Sequence, residues 1–306
     1  MNSPTLARWV GDPDVFMASY WRREPAVFRW EGGAFTPFTL ADADAALADG
    51  LLRAPYIEMV RAETSLDIGS YTSPRTVHRT VHQGFADEAK IRALLEDGAT
   101  LLLRCIDQWH APTRSVLAAL AQETGLAVEA FYFVTPAGHQ GLPLHRDDAD
   151  VLVVQVAGSK EWSVHEGPAD GNWRPGPTSA PHPAEVLHTV VRAGEVLYIP
   201  RGWAHRAVGD GGLSVHLSLT IREVGVVELL RALQRLAFDG LTMDPLPVDD
   251  ETITAAGKRL LDHARGRLAE LTPRDLMEVA RRGQRAKMPG PRPELSLTGL
   301  AAARSV

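Results

Sequence analysis

At 306 residues, 45% hydrophobic and 23% charged, the chain has ordinary globular composition and room for one large domain or two unequal ones. A formal net charge of -6 removes any global electrostatic case for nucleic acid, and a single cysteine excludes both an intramolecular disulfide and a cysteine-cluster metal site. No apolar run of about 18 residues offers a membrane span, and the N-terminus lacks the apolar core of a signal peptide, so a cytoplasmic setting is expected.

The first third alternates short helices and strands. "DPDVFMASYW" starts as a capped helix, with Asp12 accepting free backbone N–H groups and Val15, Phe16 and Tyr20 as its packing stripe. "PAVFRW" and "YIEMVRA" read as strands. Between them "TLADADAALADG" is a helix with Thr39 as cap and Gly50 as stop. Residues 65–85 are polar and irregular, which predicts a surface loop. "FADEAKIRALLEDG", "TLLLRCI" and "PTRSVLAALAQETG" follow as helix, strand and helix, with Cys105 expected as a buried core thiol.

The texture changes at residue 129. "EAFYFVTP", "DVLVVQVAGSKEWSVHE", "EVLHTVVRAGEVLYIPRGWAHRAV" and "LSVHLSLTIREV" are short β-branched and aromatic runs between Gly, Pro and Asp turns. That spacing predicts an antiparallel sandwich or barrel rather than a βαβ sheet. A Pro/Gly-rich insertion at 167–185 interrupts it as a surface excursion. Beyond residue 220, "VGVVELLRALQRLAF" and "DDETITAAGKRLLDHARGRLAEL" carry apolar residues near 3.6 spacing. "TPRDLMEVARRGQRAK" opens with Thr272 as cap and Pro273 at the first helical position. "MPGPRPELSLTG" reads as a link or an extended strand. The basic run "RRGQRAKMPGPRPE" reads as a solvated helix end, not a nucleic-acid contact. The fold class is mainly β with α elements: an α/β N-terminal region, a β block over 129–221, and a helical appendage.

Chemistry concentrates in "GLPLHRDDADVLVVQVAGSKEWSVHE". His145 and Asp147 share strand parity and leave one face if the segment is extended, whereas Asp148 points the other way. One imidazole and one carboxylate need a second histidine to make a facial triad. His205, after the Pro-Arg-Gly turn of "GEVLYIPRGWAHRAV", is its best source. His216 competes, because alternation in "SVHLSLT" puts Ser214, His216, Ser218 and Thr220 on one polar face. Two histidines and a carboxylate suit Fe(II) oxygen chemistry; zinc hydrolysis and plain cupin-like binding use the same set. Lys160, following Gly158 and Ser159 at what reads as a hairpin turn, favours an iron enzyme that also takes 2-oxoglutarate. Such an enzyme needs a cation for the distal carboxylate. Trp162 and Trp203 are expected as packing residues.

Taken together, "FMASYWRREPAVFR", "LHRDDADVLVVQVAGSKEWSVHE", "AGEVLYIPRGWAHRAV" and "SVHLSLT" resemble the JmjC-type 2-oxoglutarate oxygenases of the ribosomal oxygenase group. The resemblance implies a double-stranded β-helix (jelly roll) of the cupin type. It assigns His145, Asp147 and His205 as iron ligands and Lys160 as the residue for the 2-oxoglutarate C5 carboxylate. Thr220 becomes a hydroxyl beside the cosubstrate, and Tyr132 a lining residue of the same pocket. It implies Fe(II), 2-oxoglutarate and O2, with succinate and CO2 released as a side chain of a protein or peptide is hydroxylated. A ribosomal protein and a peptide natural product are both candidate substrates. A metal-dependent hydrolase or isomerase of cupin type, and a non-catalytic cupin binding module, are the alternatives. Domains are expected at 1–221 (catalytic) and 222–306 (helical, a homodimer contact). The family commonly carries a winged helix beyond its helical region; the roughly 85 residues after the barrel leave no comfortable room for a complete one.

Overall fold

The computed structural model describes residues 5–61, 64–179, 182–243, 246–290 and 295–303. Local chemistry builds the N-terminal elements, α1 (Ala7–Val10) and α2 (Pro13–Ser19) first. Asp12 caps α2 by accepting from the N–H groups of Asp14 and Val15, and Pro13 supplies a fixed helical φ. Only Phe16 of α2 is buried. Val15, expected to pack beside it, is 53% exposed, because this short helix turns a single position fully inward. β1 (Ala26–Phe28), α3 (Leu40–Ala48), β2 (Ile57–Arg61) and β3 (Thr64–Ser65) follow, and Thr39 and Asp42 form the reciprocal cap of α3.

Residues 65–85 are not an irregular loop. A 3-10 turn at Ile68–Ser70 leads into a hairpin of β4 (Thr72–Val77) and β5 (Thr80–Ala86). His78 and Arg79 join them with φ of 45° and 69°, the paired left-handed geometry of a type I′ turn that usually selects Asn-Gly. Neither residue advertises that turn, and the hairpin tip is exposed on both faces, so no period of two appears in its hydrophobicity. α4 (Glu88–Glu96), β6 (Thr100–Leu103), α5 (Ile106–Trp109) and α6 (Ala111–Thr124) complete the region. Cys105 is half-buried rather than a core thiol, since it sits at the left-handed junction between β6 and α5.

The β block consists of β7 (Ala127–Thr135), β8 (His145–Arg146), β9 (Ala149–His165), β10 (Gly176–Pro177), β11 (Glu185–Arg192), β12 (Val196–Ile199) and β13 (Ala204–Arg222). An 11-stranded sheet runs β1-β12-β9-β13-β7-β6-β2-β3, with β11 on β9, β8 on β13 and β10 on β8. β9 is its spine. One edge pairs with β13 along nearly the whole length; the other pairs first with β12 and then with β11.

Gly158 is not a hairpin turn but a bulge inside this continuous strand. Between the pairs Val154↔Val196 and Ser159↔Arg192, residues 155–158 of β9 face only residues 193–195. One extra residue reverses the alternation. Val151 and Val153 therefore point inward from odd positions, and Lys160 and Trp162 from even ones. β13 switches likewise, between His205 and Ala207 on one side of its irregularity at 211–214 and His216, Ser218 and Thr220 on the other. Val151, Val153, Trp162, Val164, Val191, Leu197 and Ile199 fill the interior between the layers. Gly158 has φ +61°, and a Cβ there would stand 2.3 Å from the Leu213 carbonyl oxygen. Gly158→Ala is thus expected to cost about 1–3 kcal/mol and to misalign Lys160. Chemical denaturation alongside a 2-oxoglutarate titration measures both effects; wild-type values in each would refute it.

The described chain divides into two compact units: Met1–Thr124, Val128–Arg222 and Pro289–Val306 form one, and Gly125–Ala127 with Glu223–Met288 the other. The stretch from Pro289 groups with the first unit. Within the second, α7 (Val226–Ala237), α8 (Asp250–Glu270) and α9 (Pro273–Arg285) pack together, with Thr272 capping α9 as its sequence predicts. "MPGPRPELSLTG" lies partly outside the described residues, at 291–294; its end enters a helix, α10 (Leu297–Ala303). Residues 180 and 181 of the 167–185 insertion also lie outside them. No helix among the described residues is long and apolar enough to cross a membrane.

Candidate metal centre

β8 and β13 pair with His145 directly opposite His205, so register alone brings the two imidazoles together. Their ring centroids are 4.3 Å apart. Asp147 follows β8 in the break before β9. Its Oδ1 is 3.6 Å from His145 Nε2 and its Oδ2 is 3.6 Å from His205 Nε2. One donor atom from each of the three lies within 4.8 Å of the others. Both rings are held in the same way: His145 Nδ1–H donates to the Pro143 carbonyl (2.8 Å) and His205 Nδ1–H to that of Trp203 (3.1 Å). That fixes the tautomer and leaves both Nε2 lone pairs facing Asp147. Burial, reinforced by neighbouring His145, pushes the His205 pKa down to about 4 against the pull of Asp147. A neutral imidazole, ready to ligate, is the result.

The turn between β12 and β13 is clamped from below. The fully buried Asp150 carboxylate accepts from Tyr198 Oη (2.7 Å), the Arg201 N–H (3.1 Å) and Arg22 Nε (3.1 Å), while the Gly202 N–H donates to the Asp147 carbonyl (3.1 Å). Asp148 turns away from the donor cluster and pairs with Arg222.

The triad opens into a cleft of about 250 Å³. Lys160 lines it, only 3% exposed, with its ammonium donating to Thr135 Oγ1 (3.1 Å). No carboxylate pairs with it among the described residues, and burial pushes its pKa down to about 7. Along β9, Lys160 stands four residues from Val164, the partner of His205. That is about 13 Å of strand, a span suited to a lysine side chain and a short dicarboxylate end to end. Two buried polar atoms on the cleft wall, Trp162 Nε1 and His216 Nδ1, have no partner among the described residues. The site therefore fits a divalent metal at one end and a small anion at the other.

Thr220 lines the same cleft. Tyr132 does not. On β7 the residues facing the cleft are Phe131 and Phe133; Tyr132 has the opposite parity, is fully buried, and meets Phe38 edge-on at 5.1 Å. Its hydroxyl has no partner among the described residues. Tyr132→Phe is accordingly expected to preserve turnover and to raise stability by up to about 1 kcal/mol, as thermal unfolding and a cosubstrate assay would show; a rise in the KM for 2-oxoglutarate would count against this placement. Trp162, expected as packing, is also cleft wall, 5.5 Å from His216. Phe133, stacked on His216 at 4.7 Å, and Thr135 are the residues that sequence reading missed. Their signal was the parity they share with Phe131 in "FYFVT".

Residues 105–229 match the family described as the JmjC domain. With a double-stranded β-helix and a His-Asp-His cluster at its mouth, the chain carries a JmjC domain over these residues, on a fold of the JmjC/cupin class. Its similarity within that class is to ribosomal oxygenases: it is 31% identical over 216 residues to "Ribosomal oxygenase 1" of Rattus norvegicus, across 68% of this chain and 35% of that protein. The Homo sapiens protein of the same name gives 31% over 68% of this chain and 32% of its own length. "Bifunctional lysine-specific demethylase and histidyl-hydroxylase NO66" of Drosophila grimshawi is 29% identical over 56% of this chain and 24% of its own. The chain thus spans about a third or less of these curated relatives. Among solved structures, the ribosomal oxygenase YcfD from Escherichia coli, in complex with cobalt and 2-oxoglutarate, shares the fold with TM-score 0.54 and 15% identity, over 87% of this chain and 69% of that one. Fe(II) and 2-oxoglutarate are the cofactors of JmjC oxygenases, and the donors here fit both.

Proposed function

We propose that this chain is an Fe(II)- and 2-oxoglutarate-dependent oxygenase that hydroxylates an amino-acid side chain of a protein or peptide. The observation that carries this is the pairing, in one cleft, of the His145–Asp147–His205 cluster with a buried lysine that lacks a carboxylate partner among the described residues. His145, Asp147 and His205 would hold the metal, and Lys160 the C5 carboxylate, with Thr220 beside it. When bound, iron with 2-oxoglutarate and O2 supplies the oxidation, giving succinate and CO2 and placing one oxygen in a substrate C–H bond. Around it, the chain's residues bind, orient and exclude water. The carbonyls of Pro143 and Trp203 hold both imidazoles, and Phe131, Phe133 and Trp162 wall the cleft.

Similarity to ribosomal oxygenases supports a ribosomal protein as substrate, and NO66, a relative that is both lysine-specific demethylase and histidyl-hydroxylase, makes the product the point that separates the two reactions. Succinate formation from 2-oxoglutarate, followed by mass spectrometry of treated cellular proteins and peptides, tests the reading. A gain of one oxygen atom that depends on enzyme and cosubstrate is expected. Loss of a methyl group with formaldehyde would replace hydroxylation by demethylation. A metal-dependent hydrolysis or isomerisation that proceeds without 2-oxoglutarate would overturn both. We also propose a homodimer through the helical unit, whose Val226, Leu230 and Leu261 side chains are more than half exposed. Light scattering of a Leu230→Glu, Leu261→Glu variant should then show a monomer.

A further inference from the structure

Alternation along β8 sends His145 into the cleft and Arg146 out of the opposite face. There a second cavity, of about 230 Å³, opens between β8 and the insertion that follows β9. The insertion is tied to the metal strand itself. Gly176 and Pro177 pair with Arg146 and His145, and Thr178 donates to the Leu144 carbonyl from its N–H (2.9 Å) and hydroxyl (3.2 Å). Trp173 seals the far side: a Cβ on Gly202 would come within 2.9 Å of its ring, and the Arg201 guanidinium lies 5.7 Å from its centroid.

We infer that this cavity is an oxyanion subsite, built on Arg146 and Arg174 with the Ser179 hydroxyl and Asn172 amide as further donors. No carboxylate lines it among the described residues. Arg146 is half-buried and donates to two carbonyls, those of Glu166 (3.1 Å) and Gly202, and no carboxylate faces its charge among the described residues. Arg174 is exposed at the rim and has no ion pair among the described residues. Asp170, the acid close by in sequence, is turned onto the Asn172 N–H (2.9 Å) and side-chain amide (3.3 Å). Two arginines lining one cavity, with hydroxyl and amide donors beside them, match a phosphate or carboxylate group. The fit needs neither metal nor cosubstrate, so it stands apart from the oxygenase reading.

Titration of the full chain with inorganic phosphate, read on the Trp173 indole N–H resonance (assigned with Trp173→Phe), tests this. Saturable binding on the order of millimolar is expected, weakened at least about fivefold in Arg174→Gln and reversed in sign of charge by Arg174→Glu, which should abolish it. Lys160→Ala should leave it unchanged. Absence of a saturable shift, or full binding in both Arg174 variants, would overturn the inference. So would loss of binding in Lys160→Ala, because the phosphate would then occupy the main cleft. A glutamate-containing peptide that displaces phosphate identifies the occupant as a carboxylate of a polypeptide; phosphate that it leaves in place identifies free phosphate.

Discussion

Asp147→Ala is expected to lower metal affinity by at least about a hundredfold and to abolish succinate formation, while Asp148→Ala retains both. A partner that merely orients a ligand costs about 10–100-fold, and Asp147 faces both Nε2 atoms at 3.6 Å. Asp148 instead joins Glu129 in holding Arg222. Asp147 is partly exposed and, among the described residues, its side chain faces only the two histidines, so Asp147→Ala should unfold at a temperature close to wild type. Manganese titration by electron paramagnetic resonance separates the two acids. Equal loss in both variants would remove Asp147 from its special place.

Lys160→Met should have two opposite effects. In the folded chain the lysine pKa lies at about 7, well below the usual 10.5. Between those values the unfolded chain holds a proton that the folded chain does not, so stability rises with pH across the window; below about 7 the full burial penalty is present. Lys160→Met removes that penalty. The ligand-free protein should gain on the order of 4 kcal/mol near pH 7 and lose its stability slope between pH 7 and 10.5. Affinity for 2-oxoglutarate should fall by a few hundredfold, corresponding to the roughly 3–5 kcal/mol lost when one partner of a buried ion pair is removed. Denaturation across pH and a cosubstrate titration read the two halves separately. A destabilised variant, or one with unaltered cosubstrate affinity, contradicts the role assigned to the buried charge. Stability forgone for binding is a familiar bargain at sites of this kind.

The site was legible where chemistry is local. The HxD spacing and the histidine after Pro-Arg-Gly stand out as residue types, and the β8–β13 register places them face to face. Lys160 does line the cleft, but the hairpin turn expected before it is a bulge. A glycine between two apolar runs reads equally as a turn or as a bulge, and only the count of 155–158 against 193–195 distinguishes them. Tyr132 was misplaced because "FYF" is aromatic at both parities, so the shared parity of Phe131, Phe133 and Thr135 marks one face of β7 without naming it as the cleft side; in the structure that face is half-buried at Phe131 and Phe133 while Tyr132 is fully buried on the other. The hairpin over 72–86 escaped because its turn is His78–Arg79 rather than a glycine pair.

One feature of the metal centre bears on how such a chain changes over time. Each histidine of the cluster is oriented by a main-chain oxygen two residues before it. Substituting the side chains of Pro143 or Trp203 leaves those oxygens in place, so mutational drift around the centre can reshape the cleft without disturbing either tautomer. Variation in substrate choice and constancy of the metal site are thereby uncoupled at the level of single residues. Directed evolution of this scaffold should find its freedom in the cleft wall and its lethal positions where the backbone path itself is altered.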